Sequence, residues 1–252
     1  MASKAFGTDE NRDRGIQPPA RGDPQLSHGQ VAGASRDAIR IKICGVTTIA
    51  DALACATLGA DMIGLNFYPK SARCIQPETA RAIVEAVPSD LQSVGVFVDG
   101  DAEIIRQIAQ TAGVRAVQLH GHISPDACRD LARDFRVIRA FCTDTCFQPT
   151  DVLSFRHCDI LLDAHHPHLR GGTGLTCDWA AARAALPYAR FLILSGGLNA
   201  HNAPDAIAAV APDAVDVCSA VERAPGIKDH SAIKDFIAAV RGASRPLKAT
   251  PA

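Results

Sequence analysis

Two side chains at the ends of apolar runs are of types that can take or give a proton: Cys44 in IRIKICGV and Asp163 in DILLDA. Cys44 precedes Gly45, and a helix is expected to begin within a few residues, around Thr47-Thr48. Free backbone N–H groups at a helix start favour a thiolate and lower a thiol pKa from its usual ~8.5. Asp163 follows Leu161 and Leu162. A carboxyl partly desolvated at the end of such a run has a raised pKa and can donate a proton near neutral pH. Each has a second reading, Cys44 as a packing thiol and Asp163 as a cap on the following loop.

Other residues could hold an anionic substrate around that pair. Arg73 in YPKSAR can grip a carboxylate with two parallel N–H donors, or can be an ordinary surface arginine. Gly196 and Gly197 follow FLIL, and Cys218 and Ser219 follow AVDV. Glycines let backbone approach a ligand, and the N–H groups that follow suit a phosphate. His120 closes AVQLH and is a pocket-lining candidate. Gly172, in GGTG, belongs to a loop that closes over the ligand or is a plain turn. His165, His166 and His168 follow Asp163 and raise the question of zinc. Neighbouring histidines around Pro167 do not make a tetrahedral set, and Cys142 and Cys146 lack a matching second pair, so no metal is expected.

These residues need a scaffold that brings chain ends together. From Ile39 a unit recurs: a short apolar run, a turn, then helical periodicity. The runs are residues 39–46, 61–67, 93–98, 116–120, 137–141, 159–164, 191–197 and 214–220. Their continuous apolar character suits strands covered on both faces. Between them, Ile49, Ala52, Leu53 and Ala56 fall on one helical face, as do Ala80, Ile83, Val84 and Val87. Ile104, Ile105, Ile108 and Ala109 make a similar stripe, and so do Ile233, Phe236, Ile237 and Val240. Pro77, Ser124-Pro125 and Asp178 mark helix starts, and the fifth helix is expected around Thr150–His157. Eight alternations predict a single (βα)8 TIM barrel over residues 39–243, in preference to an open doubly wound sheet. The barrel's active site would lie at the carboxyl ends of its strands, a rule that selects Cys44, the Lys70–Arg73 loop, His120, Asp163, Ser195–Gly197 and Cys218–Ser219.

The bulk properties narrow the classes. Of 252 residues, 47% are hydrophobic, ample for one large core, and the net charge is −1. Without a basic stripe interleaved with aromatics, nucleic acid is a poor partner. No apolar run is long enough for a bilayer, and residues 1–15 carry no signal-peptide core. A cytoplasmic setting is expected. Residues 1–38 are rich in Gly, Pro and charge and read as a disordered N-terminal extension, with a second tail at 244–252. Nine scattered cysteines fit reduced, mostly buried small hydrophobes better than a disulfide framework.

Taken together, KICG (42–45), YPKSAR, GVFVD (95–99), QLHG (118–121), LLDA (161–164), GGTG, LSGGL (194–198), DVCSAVE (216–222) and PGIKD (225–229) resemble, in order, the phosphoribosylanthranilate isomerase family of tryptophan biosynthesis. The resemblance covers about residues 40–241. It implies an Amadori rearrangement of N-(5-phosphoribosyl)anthranilate to 1-(2-carboxyphenylamino)-1-deoxyribulose 5-phosphate, an aldose–ketose isomerisation with no cofactor. It also implies Cys44 as general base, Asp163 as general acid and Arg73 at the anthranilate carboxylate. Gly196, Gly197, Cys218 and Ser219 would bind phosphate through backbone amides. The sequence departs from the family pattern in three places: Ala72 stands for the proline of KSPR, and Cys218 and Ala220 stand for a serine and a glycine in DVSSGVE.

Two other classes compete. A metal-dependent sugar-phosphate epimerase on the same barrel would use His165 or His166, and a non-catalytic phosphosugar-binding barrel would bind without turnover. A related synthase of the same pathway would ask for catalytic lysines and glutamates at the strand ends. The expected partner is a small phosphorylated sugar–anthranilate, and the chain a monomer or homodimer.

Overall fold

Strand β1, Arg40–Cys44, shows how each piece of the chain is sorted. Successive side chains alternate faces. Ile41 and Ile43 join the large outer cluster beneath the helices, while Lys42 and Cys44 point to the other face. The computed structural model describes residues 38–143, 146–163 and 179–244. The expected tails apart from Ala38 and Ser244, Gly172 with the rest of GGTG, the histidines 165, 166 and 168, and Asp178 lie outside the described residues.

The remaining strands are β2 (Met62–Asn66), β3 (Gln92–Val98), β4 (Ala116–His120), β5 (Arg136–Cys142), β6 (Asp159–Asp163), β7 (Leu192–Ser195) and β8 (Ala214–Val217). They are parallel and close into one barrel in sequence order, β8 pairing back onto β1. Seven fall within a residue or two of the expected runs, and β8 stops three residues short of its run because the chain turns into a 3-10 helix at Ser219. Closure rules out the open sheet.

Met62, Val94, Ala116, Ile138, Ala140, Leu161, Ile193 and Ala214 fill the barrel interior. All but Ala140 of β5 lie in the first half or at the middle of their strands, so the packed plug lies below the carboxyl ends. Interior positions further along carry Cys44, Gly64, His120, Asp163, Ser195 and Asp216, and the polar residues gather above the plug.

Helices α1 (Ile49–Leu58), α2 (Pro77–Ala86), α3 (Ala102–Ala112), α4 (Pro125–Leu131), α5 (Trp179–Ala185), α6 (Ala203–Val210) and α7 (His230–Gly242) cover the outside. Pro77 and Pro125 occupy first-turn positions, and the Ser124 hydroxyl accepts from the Ala127 N–H. The expected fifth helix is a 3-10 helix, Pro149–Phe155, whose Phe155 meets Phe141 edge-on at 5.5 Å.

Two stripes are turned from their expected faces. In α1, Ile49 and Leu53 are 42% and 41% exposed, and the inward positions belong to Asp51, Ala52 and Cys55. Asp51 accounts for the rotation: its carboxylate is 2.7 Å from the His230 ring, an anchor an apolar count does not see. In α3, Ile104 is 56% exposed while Ile105, Ala109 and Ala112 pack inward.

After β8 a 3-10 turn, Ser219–Val221, leads into a small hairpin of β9 (Glu222–Ala224) and β10 (Ile227–Lys228). Thr47 clamps it to the loop after β1, its hydroxyl donating to the Gly226 carbonyl at 2.6 Å. This hairpin delivers two charged side chains to the site.

Candidate active site

Cys44 ends β1 half-buried on the interior face. Across the β1–β2 register it faces Gly64, where a methyl group would stand 2.7 Å from the Cys44 Sγ and 3.1 Å from the Lys42 Nζ. The strand therefore leaves a notch for thiol and ammonium. Lys42 is fully buried and donates to Asp216 Oδ1 at 2.9 Å, while the Ser195 hydroxyl lies 3.3 Å from Asp216 Oδ2. Burial works against the Lys42 charge, but the Asp216 carboxylate and the Cys44 sulfur outweigh it and hold the ammonium above its ordinary pKa.

The Cys44 thiol is lowered to about 7. A hydrogen bond with the Cys218 thiol is the chief cause; burial opposes it, and the Lys42 and Lys228 charges assist. Cys218 is pushed up as the partner that keeps its proton. The expected origin in a helix start is corrected here. The N–H groups of Gly45 and Val46 both donate to the Gly64 carbonyl, at 2.9 and 3.0 Å, and α1 begins only at Ile49. Cations and a neighbouring thiol do what the sequence assigned to backbone.

Asp163 ends β6, half-buried and on the interior face two residues beyond Leu161. Its neighbours in register are Cys142 and Ser195. From β6 to β1 the barrel counts β7 and β8 between, so thiol and carboxyl flank the same open end from well-separated strands. His120 closes β4 on that face too, and its ring accepts from Gln118 Nε2 at 2.7 Å. Burial, then the charges of Lys42 and Arg139, lowers its pKa to about 4, so the ring is neutral at physiological pH.

Arg73 reaches over Gly45, where its side chain leaves no room for a Cβ. Its guanidinium grips Glu222, with Nε 2.9 Å from Oε1 and Nη2 2.6 Å from Oε2. That ion pair holds the guanidinium above its ordinary pKa. Lys228 is fully buried and donates to Glu222 Oε1 at 2.9 Å, to the Cys218 carbonyl at 3.3 Å and to the Cys44 carbonyl. Burial disfavours the Glu222 charge, but Arg73 and Lys228 together bring its pKa below the usual carboxylate range.

Gly196 and Gly197 adopt φ of 88° and 66°, the left-handed region that glycine enters without strain. Their N–H groups have no acceptor among the described residues, and a Cβ on Gly197 would meet nothing within 4 Å. Cys218 and the exposed Ser219 stand beside them at the end of β8, and Asn202 Nδ2 donates to the Gly197 carbonyl at 3.0 Å. Among the described residues no group of three His, Cys, Asp or Glu is arranged to hold a metal ion.

The descriptive match to known proteins agrees with this geometry. The family model for N-(5'-phosphoribosyl)anthranilate isomerase matches residues 41–239. The chain belongs to the phosphoribosylanthranilate isomerase family. The Trichlorobacter lovleyi enzyme of that name is 42% identical over 201 residues, covering 79% of this chain and 96% of its own. The Thermotoga maritima enzyme is 44% identical over 207 residues, covering 81% and 99%. A crystal structure of a family enzyme with reduced 1-(o-carboxyphenylamino)-1-deoxyribulose 5-phosphate superposes with a TM-score of 0.70 at 42% identity, covering 81% and 99%. As a phosphoribosylanthranilate isomerase the chain is an aldose–ketose isomerase of tryptophan biosynthesis, with a phosphorylated small molecule as substrate.

Within this isomerase the three departures have local accounts. Without the proline, the Arg73 loop is tied by the Ser71 N–H to the Tyr68 carbonyl at 2.9 Å and by the Arg73 N–H to the Ser71 hydroxyl at 3.1 Å. Ala220 is not among the positive-φ residues, so no glycine is needed there. Cys218 places a second thiol against the first. Sequence reasoning passed over Lys42, Asp216, Glu222 and Lys228. For Lys42 and Asp216 a signal existed, since a charge inside a continuously apolar strand has to find a partner. Glu222 and Lys228 come from a hairpin beyond β8 and gave no such cue. The expectation of mostly buried cysteines also needs correcting: of the eight described, only Cys55, Cys128 and Cys158 are buried.

Proposed function

We propose that this isomerase converts N-(5-phosphoribosyl)anthranilate to 1-(2-carboxyphenylamino)-1-deoxyribulose 5-phosphate with Asp163 as general acid and Cys44 as general base. The observation that carries the assignment is the thiol lowered to about 7 on the same open end of the barrel as the Asp163 carboxyl. Asp163 protonates the furanose ring oxygen, and the ring opens to a protonated imine. The imine acidifies the C2′ proton, which the Cys44 thiolate removes. The resulting enol-amine tautomerises to the ketone. The substrate nitrogen is the electron sink, so the chemistry asks for no cofactor.

The phosphate sits on the N–H groups of Gly196 and Gly197, which have no acceptor among the described residues, with Cys218 and Ser219 adding theirs at the end of β8. The anthranilate carboxylate takes the Arg73 Nη1 side, which Glu222 leaves open. His120, neutral, lines the pocket without titrating against the acid. A cytoplasmic, reducing setting suits a catalytic thiol with a second thiol beside it.

Each positioned acid or base contributes ~10²–10⁴ in rate. Cys44→Ala and Asp163→Asn are each expected to lose at least ~10² in kcat, followed by the fluorescence of anthranilate ribotide, with an unchanged circular-dichroism spectrum. Turnover like that of the unmodified chain in either variant removes that residue from the mechanism.

A further inference from the structure

Cys218 is half-buried beside the open end of the barrel and meets Cys44 thiol to thiol. Strands β1 and β8 pair in parallel with Lys42 opposite Asp216 and Ile43 opposite Val217, and Cys44 and Cys218 are the residues that directly follow that last pair on the two chain segments. Lys42 and Asp216 bridge the interior one step below, which puts both sulfurs on the interior side. Neighbouring strands lie ~4.8 Å apart, inside the ~4.4–6.8 Å Cα separation that a disulfide spans. The Cys218 Sγ also lies where a Cβ on Gly45 would be 3.1 Å away, against the backbone that follows Cys44.

We propose that Cys44 and Cys218 form an oxidative modification site, in which a peroxide closes a reversible disulfide across β1 and β8. The consequence for activity rests on Cys44 being the base; the cross-link itself does not. The chemistry balances in two steps. The Cys44 thiolate attacks one peroxide oxygen, an S–O bond forms as the O–O bond breaks, and hydroxide leaves to be protonated to water. The Cys218 sulfur, having lost its proton, then attacks the Cys44 sulfur. The S–S bond forms, the S–O bond breaks, and the hydroxide takes up the proton as the second water. Two thiols are oxidised by two electrons in all, and one hydrogen peroxide becomes two waters.

The surroundings favour both steps. Lys42 and Lys228 favour the Cys44 thiolate, the form that reacts. The Cys44 charge is one of the influences keeping Cys218 protonated. Once Cys44 is a neutral sulfenic acid that influence is gone, and Lys228 and Arg73 favour a Cys218 thiolate. Cys128 and Cys158 form a second thiol pair, but both are fully buried and offer no route to solvent.

The test treats the full chain with hydrogen peroxide, blocks remaining thiols by alkylation, and maps peptides by mass spectrometry without reduction. The expected result is a cross-linked peptide joining Cys44 to Cys218, kcat lowered by ~10² or more, and recovery with dithiothreitol. Under the same treatment Cys218→Ser, compared with its own untreated activity, should carry Cys44 to sulfinic acid and not recover. Two separately alkylated thiols in the treated unmodified chain, or a cross-link confined to Cys128 and Cys158, overturns the proposal. A Cys44–Cys218 cross-link with turnover intact supports the modification site and instead overturns Cys44 as the base.

Discussion

As the proposed base, Cys44 has to lose its proton before it can take one from carbon. With the thiol lowered to about 7, the reactive anion forms as pH rises through neutrality. Activity should follow: kcat/KM is low in acid, rises about tenfold per pH unit below the pKa, and levels off above it. A profile measured in free enzyme is expected to break near 7. Because the Cys218 thiol is the chief cause of the lowering, Cys218→Ala should move the break toward the ordinary thiol value of ~8.5. A break that stays put in that variant assigns the lowering to Lys42 and Lys228. Arg73 works differently, since its charge is already matched by Glu222. In the proposed mechanism it adds to carboxylate binding only through the donors Glu222 leaves, and those would hold equally in ground and transition states. Losing a hydrogen bond to a charged group costs about 1.5–3 kcal/mol. Arg73→Ala should raise KM by roughly ten- to a hundredfold and change kcat little in steady-state assays. A collapsed kcat at unchanged KM would place Arg73 in the chemistry.

Strands position these groups by register, and register is where small residues decide function. Gly64 on β2 leaves the notch that Cys44 and Lys42 fill, without any unusual backbone angle. Gly64→Ala puts a methyl 2.7 Å from the thiol sulfur, so the sulfur has to move. Overpacking of this kind costs about 1–3 kcal/mol. The expected outcome is a folded barrel with a modestly lower Tm and kcat reduced at least ~10-fold through the misplaced base, by calorimetry and turnover on one preparation. Normal turnover would show that the thiol has room to spare. The same scale explains what could be read from the chain. Strand runs were legible because buried parallel strands are apolar along their whole length. The face of α1 was not, because Asp51 and His230 turn that helix through a contact nearly 180 residues apart in the chain. Cys44 and Asp163 were legible as strand-end residues, whereas the partners of Cys44 became visible only when β8 closed onto β1.

At the scale of the whole barrel, the two ends do different work. The carboxyl end carries the thiol, the carboxyl and the backbone proposed to hold phosphate. At the amino end Asp159, the first residue of β6 and nearly fully buried, gathers Arg136 from β5 and Arg190, whose Nε lies 3.0 Å away. Arg136 also donates to Gln92 at 2.7 Å and stacks over Phe191 at 4.9 Å. This cluster ties β3, β5 and β6 to the segment entering β7, on the far side of the apolar plug from Cys44. Removing Asp159 strips two arginines of a charged acceptor, but both are partly exposed and can turn to water, which limits the cost to about 2 kcal/mol. For a domain of this size each kcal/mol moves Tm by roughly 2–4 °C. Asp159→Ala should therefore unfold about 4–8 °C earlier while keeping kcat, KM and the pH break near 7 unchanged. If turnover instead falls in step with stability, the plug does not insulate the two ends, and a disturbance at the base of β6 reaches Asp163 along the strand they share.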